Sequence, residues 1–83
     1  MKSRRDMRKL KTALLARAAG TRFYSWDLRK AASLHNARLY ELIVLFTQRG
    51  WLTDGYDEPK PGDDQPKHWY ELTDLGRREL TRP

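Results

Sequence analysis

Cysteine is absent from this 83-residue chain, which excludes a disulfide framework and any thiolate for zinc or nucleophilic catalysis. Long apolar runs are missing too. The longest, Leu42 to Phe46, falls far short of the ~20 residues that a membrane-spanning helix needs. The basic N-terminus lacks the apolar stretch of a secretion signal, so the expected location is the cytoplasm. Histidine is scarce: His35 and His68 stand without cysteines or carboxylates spaced to complete a metal site. Carboxylates are scattered in a proline-rich loop, where nothing would hold them in catalytic geometry, and no glycine-rich phosphate loop occurs. These absences argue against an enzyme, a metal site and a cofactor, and no small-molecule effector is expected.

Positive charge is what the chain has in excess. Its net charge is +6 and its pI about 10.0, and the distribution is uneven. Residues 1–49 hold twelve Lys/Arg against Asp6, Asp27 and Glu41, whereas residues 50–83 hold five against eight acids. Basic charge concentrated in one half points to a polyanionic partner, with a solvated basic helix as the alternative. At this length the chain forms one domain, burying only about 60–65% of the surface its unfolded form exposes.

Periodicity divides the chain into short elements. Behind a basic tail at residues 1–5, helix 1 is predicted over 4–19, with Met7, Leu10, Leu14, Leu15 and Ala18 on one face and Gly20 as its stop. Arg22-Phe23-Tyr24 reads as a short strand or an extended connector. Ser25 is the expected cap of a helix over 26–32, with Leu28, Ala31 and Ala32 available for burial. Ser33-Leu34-His35 then turns the chain into a helix over 36–49, for which Ser33, His35 or Asn36 can serve as cap. Leu39, Leu42, Ile43 and Phe46 make its inward stripe, and Gly50 ends it.

Two strand-like segments follow, from Trp51 to Asp57 and from Lys67 to Thr73, giving a hairpin over 51–72. Leu52 and Tyr56 are the expected anchors of its first strand, and Tyr70 and Leu72 face inward from the second. The intervening loop, Glu58 to Pro66, contains three prolines and cannot be a central strand. Thr73 caps a last helix over 74–81, with Leu75 and Leu80 as its apolar contacts. The fold class is therefore mainly α with a small β-hairpin (α+β), and helix 36–49 followed by a wing outlines a winged helix-turn-helix. Such a fold places one helix in the DNA major groove.

The spacing of Tyr40, Ile43, Phe46 and Gly50-Trp51-Leu52, followed by Trp69-Tyr70-Glu71-Leu72-Thr73 and Gly76-Arg77, resembles PadR-like winged-helix transcription regulators over residues 23–78. The resemblance implies a DNA-binding regulator, and it places Tyr40 at a phosphate or backbone contact, with half-buried packing as the alternative. Two departures stand out. Ala37-Arg38-Leu39 replaces the usual Gly-Thr before the tyrosine. Family members usually dimerise through a long C-terminal helix, whereas this sequence stops at Pro83. The resemblance is thus to a short form lacking that helix, whose dimer is built differently.

Candidate base contacts are the exposed residues in the first turns of helix 36–49: His35, Asn36, Arg38 and Glu41. Asparagine pairs with adenine, arginine with guanine and glutamate with cytosine, while capping or an ordinary surface charge is the alternative role for each. Arg22, Arg29, Lys30 and Arg49 flank the helix-turn-helix as phosphate ligands, and Arg4, Arg5, Arg8 and Lys9 add nonspecific affinity. The wing balances Lys60 and Lys67 with Asp57, Glu58, Asp63 and Asp64, so only marginal contact is expected from Lys60, Lys67 or His68. Val44 and Leu45 make helix 36–49 apolar nearly all round. Either helix 1 covers them through Leu14 and Leu15, or these residues and Trp69 meet another chain.

The expected partner is double-stranded DNA bound by a homodimer on a palindromic site. A winged helix used for protein interaction, and a nonspecific nucleic-acid or RNA binder, remain alternatives.

Overall fold

The computed structural model describes residues 2–62 and 65–82, with the side chains of Lys2 and Ser3 left aside. Asp63 and Asp64, part of the expected acidic wing, and the Lys2 side chain of the expected basic tail lie outside the described residues. The elements run α1 (Lys2–Leu15), β1 (Arg22–Tyr24), α2 (Ser25–Ala32), α3 (Asn36–Gln48), β2 (Leu52–Tyr56), β3 (His68–Leu72) and α4 (Asp74–Leu80). The strands form one antiparallel sheet in the order β1-β3-β2. Phe23 pairs with Tyr70 on one side of β3, and Leu52 pairs with Leu72 on the other.

The core lies where the helices meet the inner face of this sheet. Phe46, Leu10, Leu14 and Leu28 are its largest fully buried side chains, joined by Leu39, Leu42 and Ile43 of α3. The inward stripe of α3 is thus the centre of the fold. Leu14 belongs to the same core and is not an interface residue, because α1 turns it directly inward. Leu15 and Leu45 are half-buried against that core, and Val44 is exposed.

Helix α3 ends through three cooperating features. Gly50 takes the left-handed conformation at φ 76°. Its N–H donates to Thr47 O at 3.0 Å, while Trp51 N–H reaches back to Phe46 O at 2.9 Å. This pair of bonds caps the last carbonyls, and the Trp51 ring meets Phe46 edge-on at 5.2 Å, the apolar contact that such a motif favours.

Several expectations are corrected. Helix α1 stops at Leu15, not at Ala19, and Ala18 is exposed. Beyond its end, Arg77 Nη2 donates to Arg17 O at 2.9 Å, and Thr21 Oγ1 donates to Ala18 O at 2.7 Å. The basic tail is itself helical from Lys2, as Lys and Arg are good helix formers. Ser25 is the first residue of α2, with extended Tyr24 in the cap position and no side-chain cap bond. Ala31 and Leu75 face solvent. Tyr56 is 63% exposed rather than an anchor, since its end of β2 runs past the core and its ring stacks on His68 at 4.5 Å.

Trp69 lies across β2 at Gly55, where a Cβ would collide with its ring, and Arg22 stacks over the same ring at 4.3 Å. That explains the glycine that breaks the strand pattern. This packing half-buries Trp69 and leaves its indole Nε1 without an acceptor among the described residues.

Candidate nucleic-acid interface

The helix-turn-helix begins where α2 runs out of hydrogen bonds. Ser33 adopts φ 55° and ψ 46° and donates its N–H to Arg29 O, while Leu34 inserts its side chain into the core. The chain then starts α3 at Asn36, with His35 in the cap position and no side-chain cap bond. Asn36 is therefore free of capping duty. Its Oδ1 accepts instead from Arg29 Nη1 at 3.2 Å. Among the described residues one acceptor lone pair and the amide N–H donors remain unused, which is the pattern needed for bidentate pairing with an adenine edge.

Around Asn36 the surface is open and basic. His35, Asn36, Arg29 and Lys30 are exposed, and Tyr40 one turn along α3 is 62% exposed. Lys9 arrives from α1, its Nζ at 3.5 Å from Ser33 O. Among the described residues no carboxylate pairs with Lys9, Arg29 or Lys30.

Arg38 and Glu41 are placed differently. Arg38 turns back toward α1, where its Nε meets Asp6 Oδ2 at 2.7 Å and its side chain is only 23% exposed. Its Nη1 also faces Glu41 Oε1 at 3.7 Å. The hydrogen bond to Asp6 raises the guanidinium pKa above its ordinary value despite partial desolvation. The expected exposure of Arg38 is thereby corrected, because the pairing with Asp6 holds it between two helices. Glu41 stays exposed.

On the other flank of α3, Tyr40, Val44 and Thr47 face the wing across a small groove that Asp54, His68 and Tyr70 close. His68 Nε2 lies 2.6 Å from Asp54 Oδ2, and Tyr70 OH lies 3.3 Å from His68 Nδ1. Burial is the main cause that raises the Tyr70 hydroxyl pKa. At the root of the wing Tyr24 OH donates to Asp57 Oδ2 at 2.6 Å, and Arg22 Nη1 approaches Asp57 at 3.5 Å. Arg22 is thus engaged by Asp57 and Trp69 while remaining half-exposed. Tyr24 stacks on the exposed Trp26 at 4.9 Å. Lys60 and Lys67 sit exposed on the wing loop, which closes through Asp57 N–H donating to Lys67 O at 2.8 Å.

The structure therefore gathers Lys9, Arg29, Lys30, His35, Asn36 and Tyr40 at one end of α3. Arg4 and Arg8 line a groove beside Trp51 and Leu80, and Arg8 also borders, with Lys9, a hollow against Ala31, Ala32 and Ser33; Arg49 stacks over Trp51 at 5.0 Å, and Arg5 is exposed on α1. With α3 rising ~1.5 Å per residue, Arg49 lies about 20 Å along the axis from Asn36. The apolar candidates also scatter: Val44 faces the wing groove, Leu14 the core and Trp69 the outer sheet. Sequence reasoning missed the Asp6–Arg38, Tyr24–Asp57 and Arg29–Asn36 bonds. Only the last, within the helix-turn-helix, had a local signal.

Among the described residues no group of three or more His, Asp or Glu could hold a metal ion, and no helix is long and apolar enough to cross a membrane. No protein-family model matches the chain, and no curated protein is similar to it at a significant level. The fold matches the X-ray structure of a PadR-like transcription factor from Bacteroides fragilis, with a TM-score of 0.66 and 25% sequence identity. That match spans 95% of this chain and 78% of the other.

Proposed function

We propose that this chain, which has a PadR-like winged-helix fold, is a DNA-binding transcription regulator that reads double-stranded DNA with the N-terminal turns of α3. The observation that carries this reading is the open end of α3, where Asn36 is oriented by Arg29 and ringed by cations without carboxylate partners. Phosphate contacts from Lys9, Arg29 and Lys30 would set the register of the helix in the major groove. Asn36 and His35 would then meet base edges, and Tyr40 would meet the strand that passes toward the wing. Arg38 drops out as a base reader and becomes the tie between α1 and α3. The wing adds little, since Asp54 and Asp57 offset its lysines. Only Lys60, Lys67 and His68 would touch the backbone there.

A dimer on an inverted repeat belongs to the same proposal, because one helix contacts too few base pairs to address a site. Its half-sites would lie about 34–36 Å apart or a multiple of that. The test is retention of a random genomic duplex pool on the purified protein, followed by sequencing of what is kept. A recovered inverted repeat supports a dimeric regulator, and a single half-site motif supports a monomeric one. Retention without any motif replaces sequence-specific reading with nonspecific binding. No retention at low salt sinks the DNA reading altogether.

A further inference from the structure

Away from the helix-turn-helix, a groove of about 510 Å³ runs between α1, the C-terminal end of α3 and the end of α4. Its floor is apolar, built from Met7, Phe46, Trp51 and Leu80, and its rim carries Arg4, Arg8 and Lys11 from successive turns of α1. Arg49 stacks on the Trp51 ring at 5.0 Å and adds a fourth cation. Among the described residues no acidic side chain lines the groove. None of the four cations is ion-paired among the described residues, whereas Arg22, Arg38 and Arg82 each face a carboxylate. The groove is therefore the place where apolar surface and unneutralised positive charge coincide.

We propose that this groove docks an acidic amphipathic helix of a partner protein. Three cations at i, i+4 and i+7 form a straight edge about 10 Å long, which matches carboxylates repeating along one side of a facing helix. The volume falls within the ~300–1,000 Å³ range of sites that enclose bulky apolar groups, so one or two large side chains of that helix would rest on Trp51 and Met7. Helix-in-groove docking of this kind uses anchors at i, i+3, i+4 and i+7. A twofold pairing of this face with a second copy would set Arg4, Arg8 and Lys11 near their own equivalents, and like charges oppose that. The Trp51 end of the groove lies at the far end of α3 from Asn36, and of its lining residues only Arg8 also borders the hollow beside the α2–α3 turn.

The test selects displayed random peptides of about 16 residues on the immobilised full chain, with enriched peptides then measured by fluorescence anisotropy and mapped by amide chemical shifts. The expected winners carry Asp or Glu and bulky apolar residues at helical spacing, and they shift Met7, Phe46, Trp51 and Leu80. Arg8→Glu with Lys11→Glu should weaken them about tenfold or more, with an unchanged circular dichroism spectrum. If that variant loses its fold, Arg8→Gln with Lys11→Gln replaces it, with a smaller loss expected. Absence of enrichment, winners without acids, shifts at other residues, or full binding by the folded variant overturns the proposal. So do duplex-induced shifts at Met7, Phe46, Trp51 and Leu80 in the wild-type chain, which would make the groove a nucleic-acid surface. A wild-type dimer in sedimentation that the variant dissociates would make it a self-interface and overturn it equally.

Discussion

Replacing Gly76 by alanine should destabilise the protein, although alanine is the better helix former. In an open helix the exchange gains ~1 kcal/mol. Here α4 packs so closely on the turn after α3 that a Cβ on Gly76 would run into the carbonyl oxygen of Trp51 and lie 2.9 Å from Leu72 Cδ1. The carbonyl is held in place by Thr73 N–H, which donates to it at 2.9 Å, and the Thr73 hydroxyl, donating to Gly50 O at 2.7 Å, lies 3.1 Å from it. Overpacking against such an atom costs about 2–3 kcal/mol. After the helix-propensity gain, the net loss is about 1–2 kcal/mol. For a chain of this size that lowers the melting temperature by roughly 5–15 °C. Thermal and urea denaturation followed by circular dichroism measure it. A Gly76→Ala protein that melts at or above the wild-type temperature would refute the view that α4 docks through this contact.

Three further outcomes follow from the same structure. Thr73→Ala removes the hydroxyl that accepts from Gly76 N–H at 2.9 Å and should cost ~1 kcal/mol in urea unfolding. Leu14→Ala should cost about 2–5 kcal/mol and should do so equally at low and high protein concentration, since Leu14 is core and not interface. Tyr24 donates its hydroxyl to Asp57, which raises its pKa above 10.0, with burial adding to the rise. The folded state then keeps a proton that the unfolded chain has lost. This contribution is intact below pH 10.0 and disappears as pH climbs through the higher folded-state value. Tyr70 acts in the same direction, so Tyr24→Phe should flatten the alkaline loss of stability only in part.

What the sequence made legible was local. The Leu72-Thr73-x-x-Gly76 pattern, part of the PadR resemblance, has a physical basis in the fold. Thr73 caps α4, and Gly76 allows that helix to touch the chain at Trp51. Gly50 and Trp51 likewise state their own roles, since both capping bonds lie within a few residues of them. The inward stripe of α3 could be read from periodicity, because helix geometry alone decides which face those residues share.

What stayed hidden depends on pairings between distant parts of the chain. Asp6 and Arg38 are separated by 32 positions and Tyr24 and Asp57 by 33, so no window of sequence joins them. That is why Arg38 read as an exposed DNA contact. The early end of α1 is hidden in the same way: the chain beyond Leu15 is held by a contact with a residue 60 positions away, Arg77 Nη2 donating to Arg17 O. Charge counting also cannot show how the fold distributes the basic first half, with Lys9 beside the α2–α3 turn, Arg4 and Lys11 beside Trp51, and Arg8 bordering both.

The most direct test of the DNA reading maps amide chemical shifts on titration with the best-retained duplex from the pool, at low and at moderate salt. Shifts concentrated on residues 29–41, lost in Asn36→Ala for the selected sequence and weakened uniformly in Lys30→Ala with a salt slope smaller by about one, are the predicted result. Shifts centred on Arg4, Arg8 and Trp51, or none around Asn36, would contradict the account.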